Sequence, residues 1–164
     1  MITAKHILLF SLASVPFLGT HPVLAQFGGP KVAAVTSAVR QTVVARGGEG
    51  VLSVTLNVGT QYHINAHRPN DPAYIPTNFV AQPAPGITYG VAHYPVPRTV
   101  RVSYSTKPLL VYVGKVVISV PFKVSRSARP GAAALAGTVM YQGCNDKSCY
   151  PPASAPVRAV VTIK

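Results

Sequence analysis

The sequence predicts an all-β fold, an immunoglobulin-like antiparallel β-sandwich. Apolar residues recur with period two in several segments, which is the mark of a strand with one buried face. No stretch holds a helical period between capping residues, and 16 Pro and 13 Gly punctuate the chain at short intervals. Many short strands between Gly/Pro turns are what two packed antiparallel sheets require.

The elements follow in chain order. Residues 32–35 and 42–45 are short apolar runs and the weakest candidates. Residues 51–58 are the clearest strand: Leu52, Val54, Leu56 and Val58 fall on one face, and Val51, Ser53, Thr55 and Asn57 on the other. The segment from 66 to 98 holds seven prolines and reads as a long connection. Residues 109–113 form a short apolar run. In residues 115–124 Val116, Ile118, Val120, Phe122 and Val124 share a face, while Pro121, opposite them, lacks an N–H and suggests an edge strand or a bulge. Residues 133–142 set Leu135, Val139 and Tyr141 against Thr138 and Gln142. Residues 157–163 set Val157, Ala159, Val161 and Ile163 against Arg158 and Thr162.

The amino-terminal residues form an address. Lys5 and His6 precede an apolar run over residues 7–18, broken by Gly19 to Pro22, and Val23-Leu24-Ala25 suits a signal peptidase. Residues 1–25 are therefore expected to be a secretory signal peptide cleaved after Ala25, and residues 26–164 a single domain. The apolar run is shorter than the roughly 20 residues of a membrane-spanning helix, which favours a cleaved signal over the alternative of an uncleaved membrane anchor, and no stable membrane insertion is expected after cleavage. Export places the domain in the periplasm or outside the cell, where disulfides persist.

Composition excludes much chemistry. Lys and Arg number 15 against three acids, Glu49, Asp71 and Asp146, for a net charge of +12. Paired-carboxylate hydrolysis, aspartic dyads and carboxylate cages for Ca²⁺ or Mg²⁺ need more acids, closer together. The cations are spread out, with no run of five and no recognised nucleic-acid module, so no nucleic-acid partner is expected. They read instead as a basic surface that keeps the domain soluble and steers it to acidic partners or anionic lipid. His63 and His67 stand four residues apart, with His93 further on. On a strand, side chains at that spacing are about 13 Å apart, so ordinary polar histidines are expected rather than a metal site.

The two cysteines carry the one sharp spacing. In Tyr141-Gln142-Gly143-Cys144-Asn145-Asp146-Lys147-Ser148-Cys149-Tyr150-Pro151-Pro152, four turn-forming residues separate them. A hairpin here can bring Cys144 and Cys149 opposite each other, within the roughly 4.4–6.8 Å Cα span of a usual disulfide. Closing so small a loop stabilises by only about 2 kcal/mol, against almost 5 for a loop of about 100 residues. A tight bridge at a loop suits exchange, and the ammonium of Lys147 would favour a thiolate. On spacing alone, thiol–disulfide exchange, a local structural bridge and metal binding all stay open.

At these residues a family resemblance appears. Residues 141–152 resemble the YQGC…C-aromatic-or-Leu-PP signature of the amino-terminal periplasmic domain of the thiol:disulfide interchange protein DsbD. Tyr62-His63-Ile64-Asn65-Ala66 resembles that family's "HIN" strand, Ile75-Pro76-Thr77 its "PT" segment, and residues 108–121 the stretch ending in a "Val-Pro" strand. The resemblance implies an immunoglobulin-like sandwich that passes reducing equivalents from a membrane electron donor, here in trans, to periplasmic thioredoxin-like or disulfide-containing proteins. It implies no cofactor and no metal. Cys149 would be the exposed cysteine that forms the mixed disulfide, and Cys144 would resolve it, with Asn145, Asp146, Lys147 and Tyr150 as their surroundings. A cap loop with an aromatic shields the pair in the family; its expected counterpart is residues 93–97, with His93 and Tyr94, or else Tyr104. Some members have five residues between the cysteines and acids near the cap; this chain has four and lacks those acids. The competing reading is a non-catalytic immunoglobulin-like binding module whose hairpin disulfide is structural.

Overall fold

The computed structural model describes residues 30–164, so the signal-peptide expectation at residues 1–25 lies outside the described residues. Twelve strands follow in order: β1 (Ala33–Val39), β2 (Val43–Val44), β3 (Glu49–Val58), β4 (His63–Asn65), β5 (Asn78–Ala81), β6 (Ile87–Tyr89), β7 (Arg98–Val100), β8 (Leu109–Tyr112), β9 (Lys115–Val124), β10 (Gly131–Tyr141), β11 (Gly143–Cys144) and β12 (Ala153–Ile163). No helix occurs among the described residues, and none there is long and apolar enough to cross a membrane.

The strands form an all-β, immunoglobulin-like sandwich. One sheet runs β1-β3-β9-β6, a second β2-β12-β10-β5, and a smaller third β11-β4-β8-β7. All pairings are antiparallel except that of β2 with the last residues of β12. The period-two faces become the core. Leu52, Val54 and Leu56 of β3 and Val116, Ile118, Val120 and Phe122 of β9 are buried, and so are Leu135 and Val139 of β10 and Val157 and Val161 of β12. These side chains belong to one contiguous buried cluster, which is the inner layer of a sandwich.

Two expectations are corrected. The proline-rich stretch from 66 to 98 is not only a connection: it contributes β5, paired with β10, and β6, paired with β9. Both are short, three or four residues, so their alternation was too brief to stand out between prolines. Strand β9 is interior to its sheet and not an edge, because β3 and β6 flank it. Pro121 is tolerated there because β6 stops at Tyr89, opposite Phe122. Beyond it, Gly90 N–H donates to the Pro121 carbonyl at 2.8 Å, and His93 pairs with Ser119 as a lone bridge. The missing N–H thus faces a gap in the ladder.

The third sheet sits at one end of the sandwich and is built from strands of two to four residues. It takes the chain from the long β10 through Gln142 into Gly143–Cys144, and this step positions the cysteines.

Candidate functional site

Strand β11 pairs with β4, so that Gly143 faces Ile64 and Cys144 faces His63. The chain then turns back on itself. Asn145 N–H donates to the Ser148 carbonyl, and Tyr150 N–H to the Gly143 carbonyl, both at 2.9 Å. Between those two rungs, Cys144 and Cys149 lie directly opposite each other as a pair without mutual backbone hydrogen bonds. They are joined by a disulfide, with Cα atoms 4.0 Å apart. That is shorter than the span expected from the sequence, and the cause is this register: non-hydrogen-bonded antiparallel pairs bring their Cα atoms closest.

Asn145 organises the turn. Its Oδ1 accepts the N–H groups of Lys147 and Ser148 at 2.9 Å each, and its Nδ2 donates to the Tyr150 hydroxyl at 2.7 Å. The Tyr150 ring meets the Tyr62 ring edge-on, centroids 6.0 Å apart. A part-buried polar network holds β4 to the chain after β10. Asn65 Nδ2 donates to Gln142 Oε1 at 3.0 Å and to the Ile75 carbonyl at 3.1 Å, and Gln142 Nε2 donates to the Tyr150 carbonyl at 3.2 Å. Thr77 Oγ1 closes the network on the Asn65 carbonyl at 2.6 Å.

The two cysteines differ in burial. Cys144 is fully buried, and Cys149 is half-buried. The segment between β7 and β8 lies against Cys149. Ser103 donates through its N–H and its hydroxyl to the Asp146 carbonyl, which ties that segment to the hairpin. The neighbouring Tyr104 hydroxyl oxygen lies 3.5 Å from Cys149 Sγ and 3.0 Å from Nε2 of the buried His63.

The family described as "Thiol:disulfide interchange protein DsbD, N-terminal" matches residues 30–159. The chain belongs to that family. Among solved structures, the DsbD N-terminal domain of Neisseria meningitidis in its reduced form is similar at 18% identity and a TM-score of 0.48, over 83% of this chain and 91% of that one. The N-terminal periplasmic domain of ScsB from Proteus mirabilis is similar at 13% identity and a TM-score of 0.50, over 76% of this chain and 43% of that one. At such identities the likeness concerns the fold alone. No curated protein matches the chain.

In this DsbD N-terminal-type domain, the residues expected near the pair separate into two places. Tyr104 is at the disulfide. His93 and Tyr94 make their contacts elsewhere: His93 exchanges both backbone hydrogen bonds with Ser119, at 2.8 and 2.9 Å, and its side chain is exposed. The Tyr94 ring stacks on His67 with centroids 3.7 Å apart, and its hydroxyl accepts from Phe79 N–H at 2.9 Å and donates to Asn78 Oδ1 at 3.1 Å. Tyr94 thereby anchors the start of β5. Lys147 is exposed, and its backbone N–H serves the Asn145 turn. His67 Nδ1 lies 3.1 Å from the Thr77 carbonyl, a structural use for that ring. Among the described residues no three His, Cys, Asp or Glu side chains gather as metal ligands.

Burial shapes the electrostatics. It pushes the Tyr104 hydroxyl up to about 12, with smaller upward contributions from Tyr74 and Asp146. Burial also lowers His63, and Asp146 partly opposes that shift. Both effects disfavour the charged form of a group removed from water. His63 lies on β4, and its partnership with Tyr104, 41 residues further on, has no local mark in the sequence. The signal available was a basic ring inside the "HIN" triplet, all three of whose residues are buried.

Proposed function

We propose that this chain is an exported thiol–disulfide exchange domain in which Cys149 forms the mixed disulfide and Cys144 resolves it. The observation that carries the reading is the hairpin disulfide between one fully buried cysteine and one half-buried cysteine. Membership of the DsbD N-terminal family supports it, and so does the small gain a six-residue ring offers as a staple, about 2 kcal/mol. In reduction of the domain, a partner thiolate attacks Cys149 Sγ. The new S–S bond forms as the Cys144–Cys149 bond breaks, and Cys144 leaves as a thiolate. A second partner thiolate then attacks the partner's own sulfur in the mixed disulfide and releases Cys149. Two electrons have passed to the domain, and the two protons lost by the partner thiols end on the two cysteines. The reverse sequence delivers both to a disulfide substrate.

Residues 1–25 support export, and the names of the related domains support the periplasm. The proposed donor is a membrane-embedded thiol–disulfide component, and the proposed acceptors are periplasmic thioredoxin-like or disulfide-containing proteins. The test is trapping. Cys144→Ser should accumulate a mixed disulfide through Cys149 with a periplasmic partner, and Cys149→Ser should not. The reduction potential should lie near roughly −200 mV, in the range of carriers. A potential below about −300 mV, with no trapped species in either variant, would mean an inert structural bridge in a binding module.

A further inference from the structure

Tyr104 has one hydroxyl proton and two neighbours that can use it, His63 Nε2 at 3.0 Å and Cys149 Sγ at 3.5 Å. A disulfide sulfur has no hydrogen to give, so in the oxidised domain the hydroxyl is the donor toward sulfur. When His63 is neutral with a free lone pair on Nε2, the imidazole nitrogen is the stronger acceptor and takes that hydrogen bond. When His63 is protonated, Nε2–H donates to the Tyr104 oxygen, and the hydroxyl proton is free to turn toward sulfur. The protonation state of one buried ring therefore sets the direction of the hydrogen bonds that end on Cys149.

We propose that His63, acting through the Tyr104 hydroxyl, receives the proton of the Cys149 thiol and orients the hydroxyl that stabilises the resulting thiolate. In the reduced domain the Cys149 S–H proton passes to the Tyr104 oxygen as the Tyr104 O–H proton passes to His63 Nε2. The products are a Cys149 thiolate, a neutral Tyr104 whose hydroxyl donates to it, and a His63 imidazolium that donates to Tyr104. No bond between heavy atoms changes in this step. The thiolate then attacks a partner disulfide: the intermolecular S–S bond forms, the partner's S–S bond breaks, and the departing partner thiolate takes a proton. The imidazolium supplies that proton, directly or through water, and returns to neutral. Cys144 loses its own proton to water, attacks Cys149 Sγ and releases the second partner sulfur, which is protonated in turn. Tyr104 touches the reacting sulfur; His63 is a positioning residue that acts through it.

The surroundings suit these roles. With its hydroxyl held at about 12, Tyr104 stays neutral and serves as a bridge rather than as the base. Burial makes a lone imidazolium costly at His63, so the ring gains its proton when a negative charge forms beside it, and the thiolate is that charge. The charged and titratable side chains on the elements packed against His63 are few. The hairpin brings Asp146, Lys147, Tyr150 and the cysteines, with Tyr62 against Tyr150; the segment between β7 and β8 brings Tyr104, Arg101 and Lys107; β8 brings Tyr112; and Tyr74 acts on the Tyr104 hydroxyl. Asp146 is the acid among them, and it acts on His63 in favour of the imidazolium.

The role rests on Cys149 being the exchanging sulfur, but its test needs no partner. In a Cys144→Ser background Cys149 is the one free thiol, and the pH dependence of its alkylation by iodoacetamide reads its thiolate fraction. The expected apparent pKa lies below the ordinary value of about 8.5. His63→Gln, which can hydrogen-bond to Tyr104 but cannot take its proton, should raise that pKa by about one unit and slow alkylation at pH 7 about tenfold. Tyr104→Phe, which keeps the ring and its shielding, should do the same. The double variant should be no slower than either single one, because both residues act in one chain. All rates should converge where the thiol is fully ionised, which separates a pKa effect from a change of access. A His63→Gln profile superimposed on that of the background would overturn the proposal, as would additive losses in the double variant. If His63→Gln fails to fold, Tyr104→Phe at its half-buried position decides by the same profile. Failure of mixed-disulfide trapping with a shifted alkylation profile would remove the exchange role alone, and trapping with an unshifted profile would remove the relay alone.

Discussion

The two large sheets and the cysteine end are held together by different physics. Between the sheets, long strands of ten or eleven residues present apolar side chains at every second position, and the backbone ladder satisfies the polar groups. Leu52, Val54, Ile118 and Val139 are stabilised by burial, which has no direction. At the cysteine end the strands are two to four residues long, too short to define a layer by alternation. Directional contacts between side chains and across loops replace them: Asn65 with Gln142, Asn145 with its turn, Ser103 with Asp146, and Tyr104 with His63 and Cys149. A region built on buried area tolerates small shifts. One built on hydrogen bonds keeps particular atoms within a few tenths of an ångström.

The largest effect that separates the two regions should come from the core. Ile118→Ala removes a fully buried side chain from β9 and should cost about 2–5 kcal/mol, read from urea unfolding. The alkylation profile of Cys149 and the potential of the pair should hardly change, because Ile118 belongs to the core cluster and the two cysteines do not. A potential that moves in step with stability would mean that the two regions are one unit.

The same contrast explains what could be read from the sequence. The faces of residues 51–58 and 115–124 announced the sandwich because ten-residue strands repeat their pattern often enough to be seen. Strands β5 and β6 are hidden among prolines, and Pro121 suggests an edge or a bulge, a choice that depends on where a distant strand ends. The structure removes the edge: between the Tyr89–Phe122 and His93–Ser119 pairs, two residues of β9, Val120 and Pro121, face three of the partner, Gly90, Val91 and Ala92. At the site, the hairpin residues Cys144, Asn145 and Cys149 are local in sequence, so their spacing carried their geometry. The hydrogen bond from Tyr104 to His63 joins residues 41 positions apart, and no local pattern encodes such a meeting. Tyr94 and Tyr104 stand ten residues apart and look alike as shielding aromatics. Only the fold separates the one that stacks on His67 from the one that reaches Cys149.

Reduction of the disulfide comes next in size. Opening a ring this small should lower stability by about 2 kcal/mol, with the fold retained, because the core does not depend on the bridge. Unfolding curves with and without a reductant measure it. A domain that unfolds outright on reduction would place the hairpin inside the core's cooperative unit. Asn145→Ala is smaller again. It leaves the N–H groups of Lys147 and Ser148 and the Tyr150 hydroxyl to water, and should cost about 1 kcal/mol at this partly exposed turn. Its effect on the potential of the pair should exceed that of any core substitution with the same stability loss.

The smallest effect is a pH dependence that belongs to the cysteine end alone. The core cluster contains Tyr112 and Tyr141 as titratable members, and burial pushes both further above the neutral range. His63 moves the other way: burial holds its folded pKa below the ordinary value of 6.5. The unfolded chain therefore takes up a proton first as the pH falls. The stability contributed by neutral His63 is present above about 6.5 and is lost as the pH drops from there through the lower folded value, below which this group adds no further slope. Urea midpoints measured from pH 7.5 down to about 4.5 should thus fall less steeply in His63→Gln than in the unaltered domain. Asp146→Asn should steepen the fall, because Asp146 is the group that favours the imidazolium in the folded state. If all three proteins lose stability in parallel, the pH response does not originate at His63, and the site would be no more sensitive to protons than the sheets that carry it.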